Sequence, residues 1–166
     1  MSDNKKNSEE VKGYPKEIVT LEKIIKTSKN FEKVRTIVSN EYEEKAVNAA
    51  IAYMDSFNNR DASKCDESLN FPHVRLGLGN QEVRITENPP QNPPKFFEWF
   101  VNVYKWNHSC WDYRKVIQSN PNKVHLAIQF SRYRSDGTQI GIFPSFWVMT
   151  NQNNHWGIKM RSSFAP

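Results

Sequence analysis

Apolar and polar residues alternate along the last third of the chain, with the period of two that is typical of β-strands. In the clearest segment, four apolar residues share one face: Val124, Leu126, Ile128 and Phe130. Asp136-Gly137 has the composition of a hairpin turn, and the polar stretch 151–154 marks another turn. The pattern therefore predicts four antiparallel strands, over residues 109–118, 124–133, 140–150 and 156–164.

The first two thirds of the chain have mostly helical spacing. Residues 41–59 predict a long helix capped by Asn40 and Glu43, and Asp61 caps a short helix that ends at residue 69. A strand over 71–76 and a partner over 82–86 follow. Residues 95–106 then predict a helix that is apolar on most sides, and we expect such a helix to be buried on most sides.

The N-terminal residues differ from the rest in composition. Residues 1–13 are polar and predict a disordered tail, whereas residues 15–38 have the apolar spacing of one or two amphipathic helices. We therefore divide the chain into an N-terminal extension, 1–39, and one domain, 40–166.

The order of elements in this domain is helix, short helix, hairpin, helix and four strands. Helices followed by an antiparallel meander indicate the α+β class. We expect a curved antiparallel sheet of at most six strands, shaped like a cone, with the helices covering one face.

Composition and charge exclude several classes of protein. The chain has 166 residues and a net charge of +5, but no run of basic residues typical of nucleic-acid-binding arms. No apolar stretch is long enough for a transmembrane helix, and no secretory signal is visible at the N-terminus. The two cysteines predict buried, unreactive thiols. We therefore expect a cytoplasmic protein that binds neither nucleic acid nor membrane.

Three segments resemble one known superfamily. Residues 53–61 run from an aromatic residue through a turn to Asp61, residues 70–75 follow the short helix as a strand, and residues 156–164 form the last strand. These segments are similar to those of the nuclear transport factor 2-like superfamily, in its SnoaL-like branch of uncharacterised bacterial proteins. The resemblance implies the cystatin-like roll, a cavity inside the cone, and homodimers that pair through the outer face of the sheet.

The ketosteroid isomerases of this superfamily provide a specific catalytic template. They use an Asp base and an oxyanion hole formed by Tyr and a protonated Asp. Tyr53 matches the spacing of the family's tyrosine, but the general base should fall near Leu76-Gly77, where there is no carboxylate. The second acid should fall within 145–149, where there is also none. The sequence therefore excludes this mechanism.

Two functions remain open at the level of sequence. The favoured one is a protein that binds a small, partly apolar molecule in the cone, without metal or cofactor. Its candidate ligand-binding residues are Arg75, Trp99, Trp111, Tyr113 and Trp147. The alternative is a cofactor-independent lyase or isomerase, similar to a dehydratase, that uses His73 with Tyr53 or Asp112. In the non-catalytic interpretation, His73 is a hydrogen-bonded strand residue and Asp112 pairs with Arg132 or Arg161.

Both faces of the strands at 124–133 and 140–150 carry apolar residues. Helices cover only one face of such a sheet, so the other face needs a second cover. That cover is either a second subunit or the N-terminal segment that contains Ile18 to Val38. We favour the homodimer, with the N-terminal segment contributing at its edge.

Overall fold

The computed structural model describes residues 36–77 and 83–165. Most of the predicted N-terminal helix, together with Leu78, Gly79 and Glu82, lies outside these residues. The described chain forms three helices and six strands: α1 (Glu41–Asn58), α2 (Ala62–Glu67), β1 (Leu69–Leu76), β2 (Val83–Thr86), α3 (Phe96–Tyr104), β3 (His108–Asn120), β4 (Lys123–Tyr133), β5 (Gln139–Gln152) and β6 (His155–Ser163).

The two predicted helix caps are confirmed. Asn40 Oδ1 accepts a hydrogen bond from the Glu43 backbone N–H at 2.9 Å, and the Glu43 carboxylate accepts one from the Ser39 backbone N–H. Asp61 accepts a hydrogen bond from the Lys64 backbone N–H at 3.0 Å. These bonds satisfy donors that the first turn of a helix leaves without a partner, so they fix where α1 and α2 begin.

The six strands form one curved sheet in the order β2-β1-β6-β5-β4-β3. The predicted α+β architecture with a curved sheet is confirmed. Four of the five strand pairs are antiparallel, and β1 and β6 are parallel, so the sheet is mixed. The sequence pattern identifies strands and turns between chain neighbours, whereas the β1–β6 pair joins strands far apart in the chain. As a result, β6 lies inside the sheet, between β1 and β5.

A glycine allows β1 and β6 to approach each other. A Cβ atom at Gly157 would lie 2.8 Å from the Leu69 carbonyl carbon and 3.0 Å from its oxygen. Both neighbours are backbone atoms, which have little freedom to move away. The parallel pairing therefore requires glycine at the start of β6.

The inner face of the sheet packs against α1. The predicted apolar row of β4 is confirmed, since all four of its residues are buried. By contrast, α3 is buried on one side only: Phe97 and Phe100 face the core, whereas Trp99 and Val103 are about half exposed. Trp106 is buried but lies beyond the end of the helix. The prediction that α3 is buried on most sides is therefore wrong. Among the residues described, no helix is long and apolar enough to span a membrane.

Candidate functional site

A small cavity of about 40 Å³ lies inside the cone, between the helices and the inner face of the sheet. We call it the inner cavity. Its walls come from α1, α3, the loop before α3 and five of the six strands. The lining residues that matter below are Tyr53, Phe57, Arg75, Phe96, Phe100, Arg132, Trp147, Arg161 and Ala165.

Strand register brings three arginines side by side, and two of them, Arg75 and Arg161, line this cavity. Arg161 on β6 lies opposite Arg75 on β1, and Arg75 lies opposite Arg84 on β2. On the other side, Arg161 lies opposite Trp147 on β5. We call Arg84, Arg75 and Arg161 the arginine row; it crosses one end of the sheet.

Arg161 is held by two side chains. Its Nε donates to His73 Nε2 at 3.2 Å, and its Nη1 donates to the Tyr53 hydroxyl at 2.5 Å. Its third nitrogen, Nη2, is buried and has no hydrogen-bond partner among the described residues. The guanidinium is therefore fixed in place while one of its nitrogens keeps its hydrogen-bonding capacity.

His73 is a neutral residue that orients Arg161. Its Nδ1 lies 2.9 Å from the Ile158 carbonyl oxygen, which only accepts, so Nδ1 carries the proton. Its Nε2 then accepts from Arg161. Burial and the charge of Arg161 lower the pKa of His73 to about 3. Because its only lone pair is already used, His73 has none left to accept a proton from a substrate.

In the described part of the chain, the charged side chains that line the cavity are all positive. Burial, followed by the charge of Arg161, lowers the pKa of Arg75 to about 10, so Arg75 is still protonated at neutral pH. Arg132 also lines the cavity and is surrounded by aromatic rings; its Cζ lies 4.8 Å from the ring centre of Phe100 and 5.0 Å from that of Phe143. Within the described chain, the residues lining the cavity include three arginines and no aspartate or glutamate.

A larger groove adjoins the cavity at the surface. Its volume is about 500 Å³. We call it the outer groove, and it is lined by Arg75, Arg84, Pro93, Pro94, Lys95, Phe96, Trp99 and Phe100. Arg75, Phe96 and Phe100 line both spaces, so these three side chains form the wall between them.

Some of the predicted site residues meet at these two spaces. Tyr53, Arg75 and Trp147 line the inner cavity, and Trp99 lines the outer groove. His73 does not line the cavity. It orients Arg161 by accepting a hydrogen bond from Arg161 Nε. Both His73 and Arg75 adjoin Arg161, the first through a hydrogen bond and the second through cross-strand pairing.

The remaining predicted site residues lie elsewhere. Asp112 is exposed on β3 and accepts hydrogen bonds from Ser131 Oγ and Gln129 Nε2. The ion pair predicted for Asp112 is therefore wrong, because the two arginines proposed as its partners lie at the cavity. Trp111 is buried in the core, and Tyr113 is partly exposed on the outer side of β3. Neither aromatic residue lines the cavity or the groove.

Sequence reasoning missed Arg132 and Arg161 as site residues. Arg132 continues the alternation of Val124 to Phe130, so the pattern already placed a charged residue on the apolar face of β4. No such alternation marks Arg161. The register between β5 and β6 shifts between the pairs formed by Val148 and Met149, and this shift interrupts the alternation along β6.

The described residues form no metal-binding cluster, and their two cysteines are buried. No group of three or more His, Cys, Asp or Glu among these residues is arranged to hold a metal ion. Cys65 and Cys110 are buried, as predicted, and burial raises the pKa of the Cys65 thiol to about 12. The Cys65 thiol therefore remains protonated and unreactive at neutral pH.

Comparisons with known proteins identify the fold. No family model and no curated protein sequence matches the chain. Solved structures do match it. A protein of unknown function with a cystatin-like fold from Nostoc punctiforme has a TM-score of 0.60 and 12% identity, over 75% of this chain and 90% of that one.

Two further structures have similar scores. A ketosteroid isomerase-like protein from Erwinia carotovora atroseptica has a TM-score of 0.56 and 14% identity, over 76% of this chain and 97% of that one. A putative calcium/calmodulin-dependent protein kinase II association domain from Xanthomonas campestris has a TM-score of 0.55 and 18% identity, over 77% of this chain and 89% of that one. Other matches include proteins described as nuclear transport factor 2-like. The chain therefore has the nuclear transport factor 2-like fold.

Proposed function

We propose that this protein binds a small, partly apolar molecule inside the cone. The observation that carries the proposal is the inner cavity, in which aromatic walls surround a buried arginine whose Nη2 has no hydrogen-bond partner among the described residues. Ligand sites commonly combine apolar walls with a few fixed polar groups of this kind. Arg161 supplies the polar part, and the rings of Phe96 and Phe100, which the inner cavity shares with the outer groove, supply the apolar part.

The same geometry does not favour the lyase or isomerase alternative. General acid–base catalysis needs a group that exchanges a proton with the substrate. The lone pair of His73 is used by Arg161, and Asp112 is held on β3 by Ser131 and Gln129. Only Tyr53, of the three candidate catalytic residues, lines the cavity.

A cavity-filling variant tests the binding proposal. Ala165 is buried and lines the cavity, so Ala165→Leu places a larger side chain in the space that the ligand would occupy. We expect mass spectrometry of the denatured protein to detect a small molecule released by the unaltered protein. We expect the variant to release about tenfold less, because steric exclusion that costs about 1.4 kcal/mol lowers affinity tenfold.

The matched control is Ala62→Leu, at the exposed first residue of α2. It makes the same chemical change away from the cavity and should leave the released amount unchanged. Equal release from all three proteins would contradict the proposal, because it would place the molecule outside the cavity.

We also propose that the protein is a homodimer that pairs through the outer face of the sheet. Cross-strand register aligns apolar residues on this face, among them Ala127 opposite Phe146 and Val148 opposite Met160. These residues remain partly exposed in the single chain. A second copy would bury them, and a self-complementary sheet face suits a two-fold interface.

Two valine substitutions test the dimer. Val148→Glu puts a charge on the outer face, whereas Val103→Glu makes the same change on the exposed side of α3. We expect light scattering to give a dimeric mass for the unaltered protein and for Val103→Glu, and a monomeric mass for Val148→Glu. A monomeric unaltered protein would support the N-terminal segment as the cover instead.

A further inference from the structure

The arginine row places like charges on neighbouring strands. Arg84, Arg75 and Arg161 occupy directly opposite positions on β2, β1 and β6. Neighbouring strands are only about 5 Å apart, and like charges directly opposite each other destabilise a sheet. Of the described residues lining the inner cavity and the outer groove, none is an acid. The row therefore creates a strongly positive site next to apolar walls.

One nitrogen of the arginine row, Arg161 Nη2, lacks a hydrogen-bond acceptor among the residues that the structure describes. Arg161 is 8% exposed, and its Nη2 is buried with no hydrogen-bond partner within the described chain. A buried donor without a partner costs stability, and such groups are rare in folded proteins. Because guanidinium nitrogens only donate, the missing partner is an acceptor, and a carboxylate is an acceptor that forms the stronger, charge-assisted hydrogen bond.

We propose that the inner cavity and the outer groove together bind an aryl carboxylic acid. Its carboxylate accepts a hydrogen bond from Arg161 Nη2 in the inner cavity, and its ring lies in the outer groove against Trp99. This inference rests on the proposed function and specifies the chemical class of the ligand.

The sizes of the two spaces support this division of the ligand. The inner cavity, at about 40 Å³, accommodates a carboxylate group but not a ring. The outer groove, at about 500 Å³, falls in the range of small-molecule pockets. Arg75 belongs to the wall between them and donates from Nη2 to the Ala165 carbonyl oxygen at 3.4 Å, so a ligand that spans the two spaces takes the place of this side chain between them.

The outer groove has the composition of a site for an aromatic ring. Trp99 is 52% exposed there, next to Phe96 and two prolines. Aromatic pairs gain energy beyond that of the buried area. Lys95 and Arg84 border the same groove and add positive charge on the path that an anion would take inward.

A pair of ligands that differ only in charge tests the inference. We would titrate the full-length protein calorimetrically with phenylacetate and with its neutral isostere, phenylacetamide. We expect the unaltered protein to bind phenylacetate about tenfold more tightly, since charge-assisted hydrogen bonds are about twice as strong as neutral ones. Arg161→Gln should abolish this preference, and Trp99→Ala should weaken the binding of both ligands.

The control variant is Arg134→Gln, in the turn between β4 and β5, where Arg134 contacts Thr138. It removes one positive charge from the same sheet and should leave the preference for phenylacetate intact. If Arg161→Gln does not fold, Arg75→Gln replaces it and should reduce the preference.

The outcomes separate this inference from the proposed function. Equal affinity for both ligands would overturn the anionic ligand and leave cavity binding intact. Binding of phenyl phosphate in preference to phenylacetate would overturn the carboxylate class. If neither ligand binds, the aryl carboxylic acid is excluded, and the proposed function then depends on the molecule released in the Ala165→Leu experiment.

Discussion

Replacing Phe57 by alanine is expected to lower the free energy of unfolding by about 3–5 kcal/mol. The Phe57 ring lies at the centre of the cluster that joins α1 to α3. Its centroid lies 5.0 Å from that of Phe97, 5.6 Å from that of Phe100 and 5.2 Å from that of Trp106. The substitution removes all of these contacts and leaves a void that the surrounding rings are too rigid to fill. Urea denaturation followed by circular dichroism would measure the change.

Phe164→Ala is the matched control. Phe164 is 61% exposed, compared with 7% for Phe57, so the same truncation should change the free energy of unfolding by less than about 0.5 kcal/mol. A similar loss in both variants would show that the cluster around Phe57 does not dominate the stability of the core.

The second large effect concerns pH and His73. The pKa of His73 is about 3 in the folded protein, compared with the ordinary histidine pKa of 6.5 expected for the unfolded chain. Below pH 6.5 the unfolded chain therefore binds a proton that the folded protein does not bind. Stability is lost as the pH falls, with a slope of about 1.4 kcal/mol per pH unit down to the folded pKa. From pH 7 to pH 4, this single group should lower the free energy of unfolding by about 3 kcal/mol.

His73→Asn isolates this contribution. The carboxylates titrate in both proteins, so their effects cancel when the two unfolding free energies are subtracted. The variant lacks the titrating ring but keeps a side-chain donor. It should be less stable than the unaltered protein at pH 7, because a smaller side chain replaces a buried ring that is hydrogen-bonded at both nitrogens. We expect the difference to shrink by about 3 kcal/mol between pH 7 and pH 4. A difference that does not change with pH would contradict the neutral, buried state of His73.

The parts of the fold that could be predicted are those fixed by local chemistry. Asn40 and Asp61 cap helices through bonds to backbone groups three residues away, and the alternation of β4 follows from the pleat of a strand. The one-sided burial of α3 could not be predicted. A helix with apolar residues on most sides has no feature that shows how much of its surface neighbouring elements cover, and here Trp99 is left open to solvent.

The candidate site could be predicted only in part, for a related reason. Tyr53, Arg75 and Trp147 stood out as single residues, because each is a chemically distinctive side chain on a predicted face. Their assembly into one site depends on the pairing of β1 with β6, and no local sequence pattern encodes that pairing. Arg161 becomes a site residue only when this pairing places it between Trp147 and Arg75.

The position of β6 inside the sheet has a consequence for protein synthesis. The ribosome produces β6 last of the six strands, yet this strand joins the β1–β2 hairpin to the β3–β5 meander. The Nδ1 atom of His73 bonds to the Ile158 carbonyl oxygen, which lies 85 residues further along the chain and is therefore synthesised later. Until β6 emerges, β1 and β5 both present unpaired edges, and such edges are prone to pair with other chains. The nascent protein is therefore most prone to aggregation in the interval before β6 emerges and pairs with β1 and β5.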